Sequence, residues 1–173
     1  MQTNTQWALF AKKLKAALKE DIPRLFELIG DETIYGIALV TDTFLETLYI
    51  AMNSEEAYQQ MLKEKETQLQ RPLSAATQHT LRVEAENWMY TSSSLQFPAI
   101  LSLNQFLINK VVEDFSRFEL EFYEIVIEVL HVLDQEGLFA REEVAQPKRQ
   151  LFVTIEGDKR REAIEEYSKS QLN

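Results

Sequence analysis

At Thr33 the hydrophobic period of the chain changes. Before it, in TQWALFAKKLKAALKEDIPRLFELIG, residues Trp7, Phe10, Leu14, Ala17 and Leu18 recur at helical spacing with lysines on the other face. From Thr33 to Thr41 the chain reads TIYGIALVT, rich in β-branched and aromatic residues, and this is a strand pattern. A polar break follows at Asp42–Thr43, and LETLYIAMN then returns as a second strand. A connection of about four residues makes an antiparallel hairpin over 33–52 the natural arrangement. Gly36, inside the first strand, marks a bulge or a close packing contact. The helix before the hairpin has Thr5 as its expected N-cap and Gly30 as its stop. Pro23 should end or kink it, or open a second short helix after Asp21.

Beyond the hairpin the helical period returns. Ser54 caps SEEAYQQMLKEKETQLQ, with Ala57, Met61, Leu62 and Leu69 as the inward stripe and Pro72 past its end. Thr80–Val83 reads as a short strand and Glu84–Met89 as a helical turn carrying Trp88, with TSSS as a loop. A helix follows from near Pro98, or from after Ser102 or Asn104. A long acidic helix spans 116–135 and stops at Gly137; a link containing Pro147 leads to a strand over 150–156, RQLFVTIEGD. Asp158 is the expected N-cap of the last helix. The order α, β-hairpin, α, mixed, α, α, β, α predicts an α+β fold: residues 1–173 as a single domain, with a small, mostly antiparallel sheet packed with several helices. At 173 residues the chain is long enough for a core of its own.

Composition removes several kinds of chemistry. The absence of cysteine excludes disulfides, thiolate metal sites and cysteine nucleophiles, and favours a reducing compartment. No run approaches the ~20 apolar residues of a membrane span, and the amphipathic N-terminus lacks the form of a signal peptide, so the expected location is cytoplasmic. The net charge of −10 is uneven: residues 113–144 hold ten acidic and two basic side chains. Such a surface opposes nucleic-acid binding, which needs cations to displace phosphate counterions. It favours a basic protein partner through electrostatic steering, or it serves solubility alone. Oligomeric state is not readable from these features.

The segment ELEFYEIVIEVLHVLDQ contains Glu128-x-x-His131, the spacing of a di-iron ligand pair. On a helix, Arg117, Glu121, Glu124, Glu128, His131 and Gln135 share one face, opposite Phe118, Phe122, Ile125, Val129 and Val132. A metal site would need its glutamates inward and a second Glu-x-x-His, and the other histidine, His79, has no glutamate three places before it. No metal or cofactor is therefore expected, and Glu128 and His131 read as a surface pair. Glu121, Glu124 and Glu128 become candidates for binding a partner, with a merely solvated face as the plain alternative. No nucleophile elbow and no glycine-rich phosphate loop is present, so no catalytic residues are assigned. Trp88 is either a binding anchor or a lid over the core, and the area it can bury favours the lid. His79, Glu86 and Trp88 are candidates for a small-ligand pocket beside the sheet.

Three stretches together resemble a bacterial family, the domain-of-unknown-function family 4303. IYGIALVTD (Ile34–Asp42) resembles its first hairpin strand, and TLRVEAENWMY (Thr80–Tyr90) its middle Arg-x-x-x-x-Glu-Trp segment. LFVTIEGDKRREAIEEYSKSQLN (Leu151–Asn173) is similar to its closing strand and helix. One departure is Asn87, where an acid is expected before Trp88, so that Glu86 would have to take its place. The resemblance implies a bacterial, cytoplasmic α+β domain, and by analogy an immunity protein. The leading expectation is a non-enzymatic protein-binding module, for example an immunity-type inhibitor of a basic toxin. The alternatives are a small-ligand protein or enzyme with a pocket near Trp88, and a structural or oligomerisation domain.

Overall fold

The computed structural model describes residues 3–109, 114–141, 144 and 149–172, with side chains from residue 6 onward. Helix α1 (Thr3–Ile29) leads into strands β1 (Ile34–Thr41) and β2 (Leu48–Ser54), then helices α2 (Glu55–Leu69) and α3 (Ala75–Val83). A 3₁₀ turn at Ala85–Asn87 precedes the two-residue strand β3 (Tyr90–Thr91). Helices α4 (Pro98–Ile108) and α5 (Phe115–Gln135), strand β4 (Gln150–Ile155) and helix α6 (Arg161–Leu172) follow. The strand order is β3-β2-β1-β4. The β1–β2 and β2–β3 pairs are antiparallel, and β4 joins β1 in parallel. This is an α+β fold with a mostly antiparallel sheet.

Both faces of the sheet are covered. Ile37 and Leu39 of β1, Leu48, Ile50 and Met52 of β2, and Leu151 and Val153 of β4 face the cluster built by α1, α4 and α5. Tyr35, Ala38 and Val40, with Ala51 and Phe152, face a smaller cluster with Tyr58, Leu73, Leu81 and Trp88. Burial on both faces explains why β1 is buried at all eight positions and shows no polar alternation. The register of β1 against β2 slips between Ile34 and Gly36. That bulge turns Tyr35 to the smaller cluster while Ile34 and Ile37 both stay in the larger one. Gly36 is required there: a Cβ on it would lie 2.4 Å from Cη2 of Trp88.

Helix α6 covers the outer edge of β4. The Ser168 hydroxyl accepts from the Val153 N–H at 3.0 Å, filling a position that would otherwise be an open ladder group. At the opposite edge β3 is only two residues long.

Several sequence expectations need correction. Pro23 neither ends nor divides α1, whose buried stripe of Leu18, Ile22, Leu25, Phe26 and Ile29 stays in phase across it. Thr5 lies within α1 and does not precede it. Thr80–Val83 is the last turn of α3, not a strand; Ser74 caps that helix by accepting from the Thr77 N–H at 3.1 Å. Leu81 is the buried side chain that ties α3 to the sheet. Leu69 is exposed and takes no part in the inward stripe of α2. Tyr90–Thr91, expected at a loop, pairs with Met52 and Ala51. Asp158 caps the turn before α6, where its Oδ1 accepts from the Arg160 N–H at 2.8 Å, while the helix itself begins at Arg161. The link with Pro147 lies outside the described residues. Ser54 caps α2 as expected, accepting from the Ala57 N–H at 2.9 Å, and Gly30 follows α1 with φ +65°.

Candidate functional site: the outer face of helix α5 and the groove beside α6

Helix α5 starts where Asp114 accepts from the Arg117 N–H at 3.2 Å, an ordinary side-chain cap. Its apolar residues then hold it to the large cluster through Phe122, Val126, Val129, Leu130 and Leu133. At its N-terminal end Phe118 stacks on Trp7 with centroids 4.8 Å apart, and Phe122 on Phe10 at 5.5 Å. These contacts fix the rotation of α5, and so decide which acids face outward.

Seven acidic side chains lie between Asp114 and Glu136, and most are already engaged. Asp114 is the cap. Glu119 accepts from Arg160 at 2.7 Å. Glu121 accepts from Nε of Arg117 at 2.7 Å and from the Trp7 indole, and these bonds hold its carboxyl below the usual range. Asp134 receives Arg149 at 2.7 and 2.8 Å. Glu136 receives Lys15 at 2.5 Å and Lys19 at 2.7 Å. Glu124 and Glu128 remain; both are exposed, and neither has an ion-pair or hydrogen-bond partner among the described residues. Of the three glutamates singled out in the sequence, two are therefore open charges and Glu121 is committed within the fold. His131 is exposed too, with Nε2 2.8 Å from Nε2 of Gln135. Among the described residues no three His, Asp or Glu side chains cluster as metal ligands would.

One flank of α5 is apolar in a second direction. Tyr123 and Ile127 are buried and, with Leu120, Glu124, Ile164 and Tyr167, line a groove of about 330 Å³ between α5 and α6. Leu120 is 60% exposed and Tyr167 48% exposed on its margins. Arg160 closes one end: it donates to Glu119, and through Nε and a terminal nitrogen to Asp158 at 2.9 and 2.7 Å. The arginine holds the Asp158 carboxyl down at about 2. Burial pushes the Tyr123 phenol up, and its oxygen has no hydrogen-bond partner among the described residues. The sequence carried a sign of this groove. Tyr123 and Ile127 recur at helical spacing beside the main stripe, and an arc that wide implies two neighbours.

The pocket candidates lie elsewhere and do not converge. Trp88 is 4% exposed, edge-on to Tyr35 and Phe152, and its indole donates to the Arg82 carbonyl at 3.0 Å. The same carbonyl accepts from the Tyr35 hydroxyl at 3.1 Å. The Arg82 guanidinium is held by Glu55 and lies 4.4 Å from the Tyr35 ring centroid and 5.0 Å from that of Tyr58. Glu86 accepts from Arg161 at 3.3 Å, and burial raises its carboxyl despite that cation. Arg161 also donates to Glu84 at 2.7 Å, so the turn after α3 is clasped to α6. Asn87, the departure from the expected acid, donates to Glu84 at 3.1 Å. His79 is exposed on α3. The segment from Arg82 to Trp88 thus builds the smaller core. No helix among the described residues is long and apolar enough to cross a membrane.

No curated protein and no solved structure matches the chain. The family model described as Domain of unknown function (DUF4303) matches residues 14–173, nearly the whole length, and the protein belongs to that family.

Proposed function

We propose that the protein is a protein-binding module that presents the outer face of α5 to a basic partner protein. An immunity-type inhibitor of a basic toxin is one form of this reading, and it draws on the family resemblance. The observation that carries the proposal is the pair Glu124 and Glu128. Within α5 and its caps, each of the other acids has a partner within the chain, whereas these two have none among the described residues and stand four residues apart on one face. Like charges at that spacing repel by a few tenths of a kcal/mol on an exposed helix, and a partner's cation would relieve the repulsion. Open carboxylates also speed the encounter with a basic surface and set its orientation.

The test is affinity capture from the source cells, with the wild-type chain and Glu124→Gln/Glu128→Gln side by side. A basic protein should be retained by the wild type at low salt, and lost both in the double variant and at high salt. Equal retention by both chains, or no retained basic protein, rejects the reading.

A further inference from the structure

We propose that the groove between α5 and α6 is the anchoring pocket of this module, taking one large apolar side chain from a lysine- or arginine-bearing segment of the partner. The inference rests on the basic-partner reading above and adds to it the point of attachment.

The floor and margins are apolar. Tyr123 and Ile127 form the α5 side and Ile164 the α6 side, with Leu120 and Tyr167 exposed at the rim. Exposed apolar side chains around a concavity of this size are what an anchor residue fills, and burying them on both partners supplies affinity. The groove is also preformed. Helix α5 is fixed by its aromatic stack, and α6 is pinned to β4 through Ser168 and clasped to the turn after α3 through Arg161. A rigid pocket loses little entropy on binding.

Charge decides the kind of occupant. Glu124 is part of the groove wall, and Glu128 stands one turn further along α5. The single cation in the lining, Arg160, is occupied by Glu119 and Asp158, two carboxylates for one guanidinium. An anionic ligand would meet net negative charge and a cation already taken by two carboxylates. A second copy of the chain would bring the same open carboxylates against each other, which opposes a symmetric pairing through this face. A segment with an apolar residue between cations meets both demands: the side chain enters the groove, and the flanking cations reach Glu124 and Glu128.

The experiment uses the full chain, labelled with ¹⁵N, and a blocked pentapeptide with leucine between two pairs of lysines. Two companion peptides replace the leucine by alanine or the lysines by serine. The leucine peptide should bind at least about tenfold tighter than the alanine one, since partial burial of its three added carbons already supplies that much. Its shifts should centre on Tyr123, Ile127 and Ile164. Ala163→Leu fills the groove from an exposed position on α6, so the fold should persist while the leucine preference disappears. Glu124→Gln/Glu128→Gln should weaken the lysine peptides several-fold at low salt only. Lysine preference without leucine preference, shifts centred elsewhere, or no binding up to the solubility limit overturns the pocket. Leucine preference with indifference to the flanks overturns the basic-partner reading and keeps the pocket.

Discussion

At Gly36 one methyl group would meet an indole ring, because the space a Cβ needs is taken by Trp88. Gly36→Ala should therefore destabilise the protein by about 1–3 kcal/mol, the usual range for overpacking. Urea denaturation measures it, and Trp88→Leu should remove much of the added cost in the double variant. Asp21 poses the opposite problem, a charge with too little company. It is fully buried in α1, and its Oδ2 accepts from the Ile100 N–H at 2.9 Å, capping α4 where Phe97 has no side-chain acceptor. Its Oδ1 has no hydrogen bond among the described residues, although the Arg24 guanidinium lies 3.6 Å away. Burial raises the carboxyl above its ordinary value. The folded state therefore holds this proton more tightly than the unfolded chain, and the stability owed to Asp21 grows as pH falls through the raised value. Asp21→Asn keeps an acceptor and drops the charge. It should be at least as stable as the wild type at neutral pH, with the gap closing towards about pH 4. Asp21→Ala should cost about 1–3 kcal/mol, since it leaves the α4 N–H unpaired. Thermal melts across that pH range check all three chains.

Among the elements, α6 does more than its composition suggests. The hydroxyl of Ser168 substitutes for a fifth strand at the edge of β4. Ser168→Ala should cost about 1–3 kcal/mol, and the Val153 amide should lose protection in hydrogen exchange before the β1 amides do. The sequence shows α6 as a helix but not this contact, because a single serine in an amphipathic pattern has no signature. The hairpin was legible because TIYGIALVT and LETLYIAMN concentrate β-branched and aromatic residues around a polar break. The last turn of α3 looks like a strand in the sequence for a definite reason. Thr80 and Val83 favour strands locally, yet burial of Leu81 and the Ser74 cap favour a helix, and tertiary packing outweighs propensity. The stop expected at Pro23 is absent for the same reason, because the buried residues on both sides of it hold one helix face together. At the candidate site, the outward phase of Glu124 and Glu128 could be read from the helical period. So could the pairing of Glu121 with Arg117 four residues before it, but not its bond from Trp7, which lies 114 residues away in the chain. The wide apolar arc of α5 hints that a second neighbour exists, but that the neighbour is α6 is a matter of topology and not of pattern.

On the scale of the molecule, one sheet separates two cores, and each core has its own tryptophan. Trp7 packs against the large cluster and Trp88 belongs to the small one. Because β1, β2 and β4 contribute to both, the two should unfold together. Single-tryptophan variants, Trp7→Phe and Trp88→Phe, should each show one fluorescence transition, coincident with the loss of circular dichroism measured on the same variant. Separate midpoints within one variant would mean that the faces melt independently. The parallel pairing of β1 with β4 has a further consequence, in the order of synthesis. Gly36 leaves the ribosome early, but its partner Gln150 comes much later. At the usual rate of translation the interval is on the order of ten seconds. Throughout it, the most buried strand of the protein has one edge without its neighbour, and the nascent chain must shield that edge or lend it to something else.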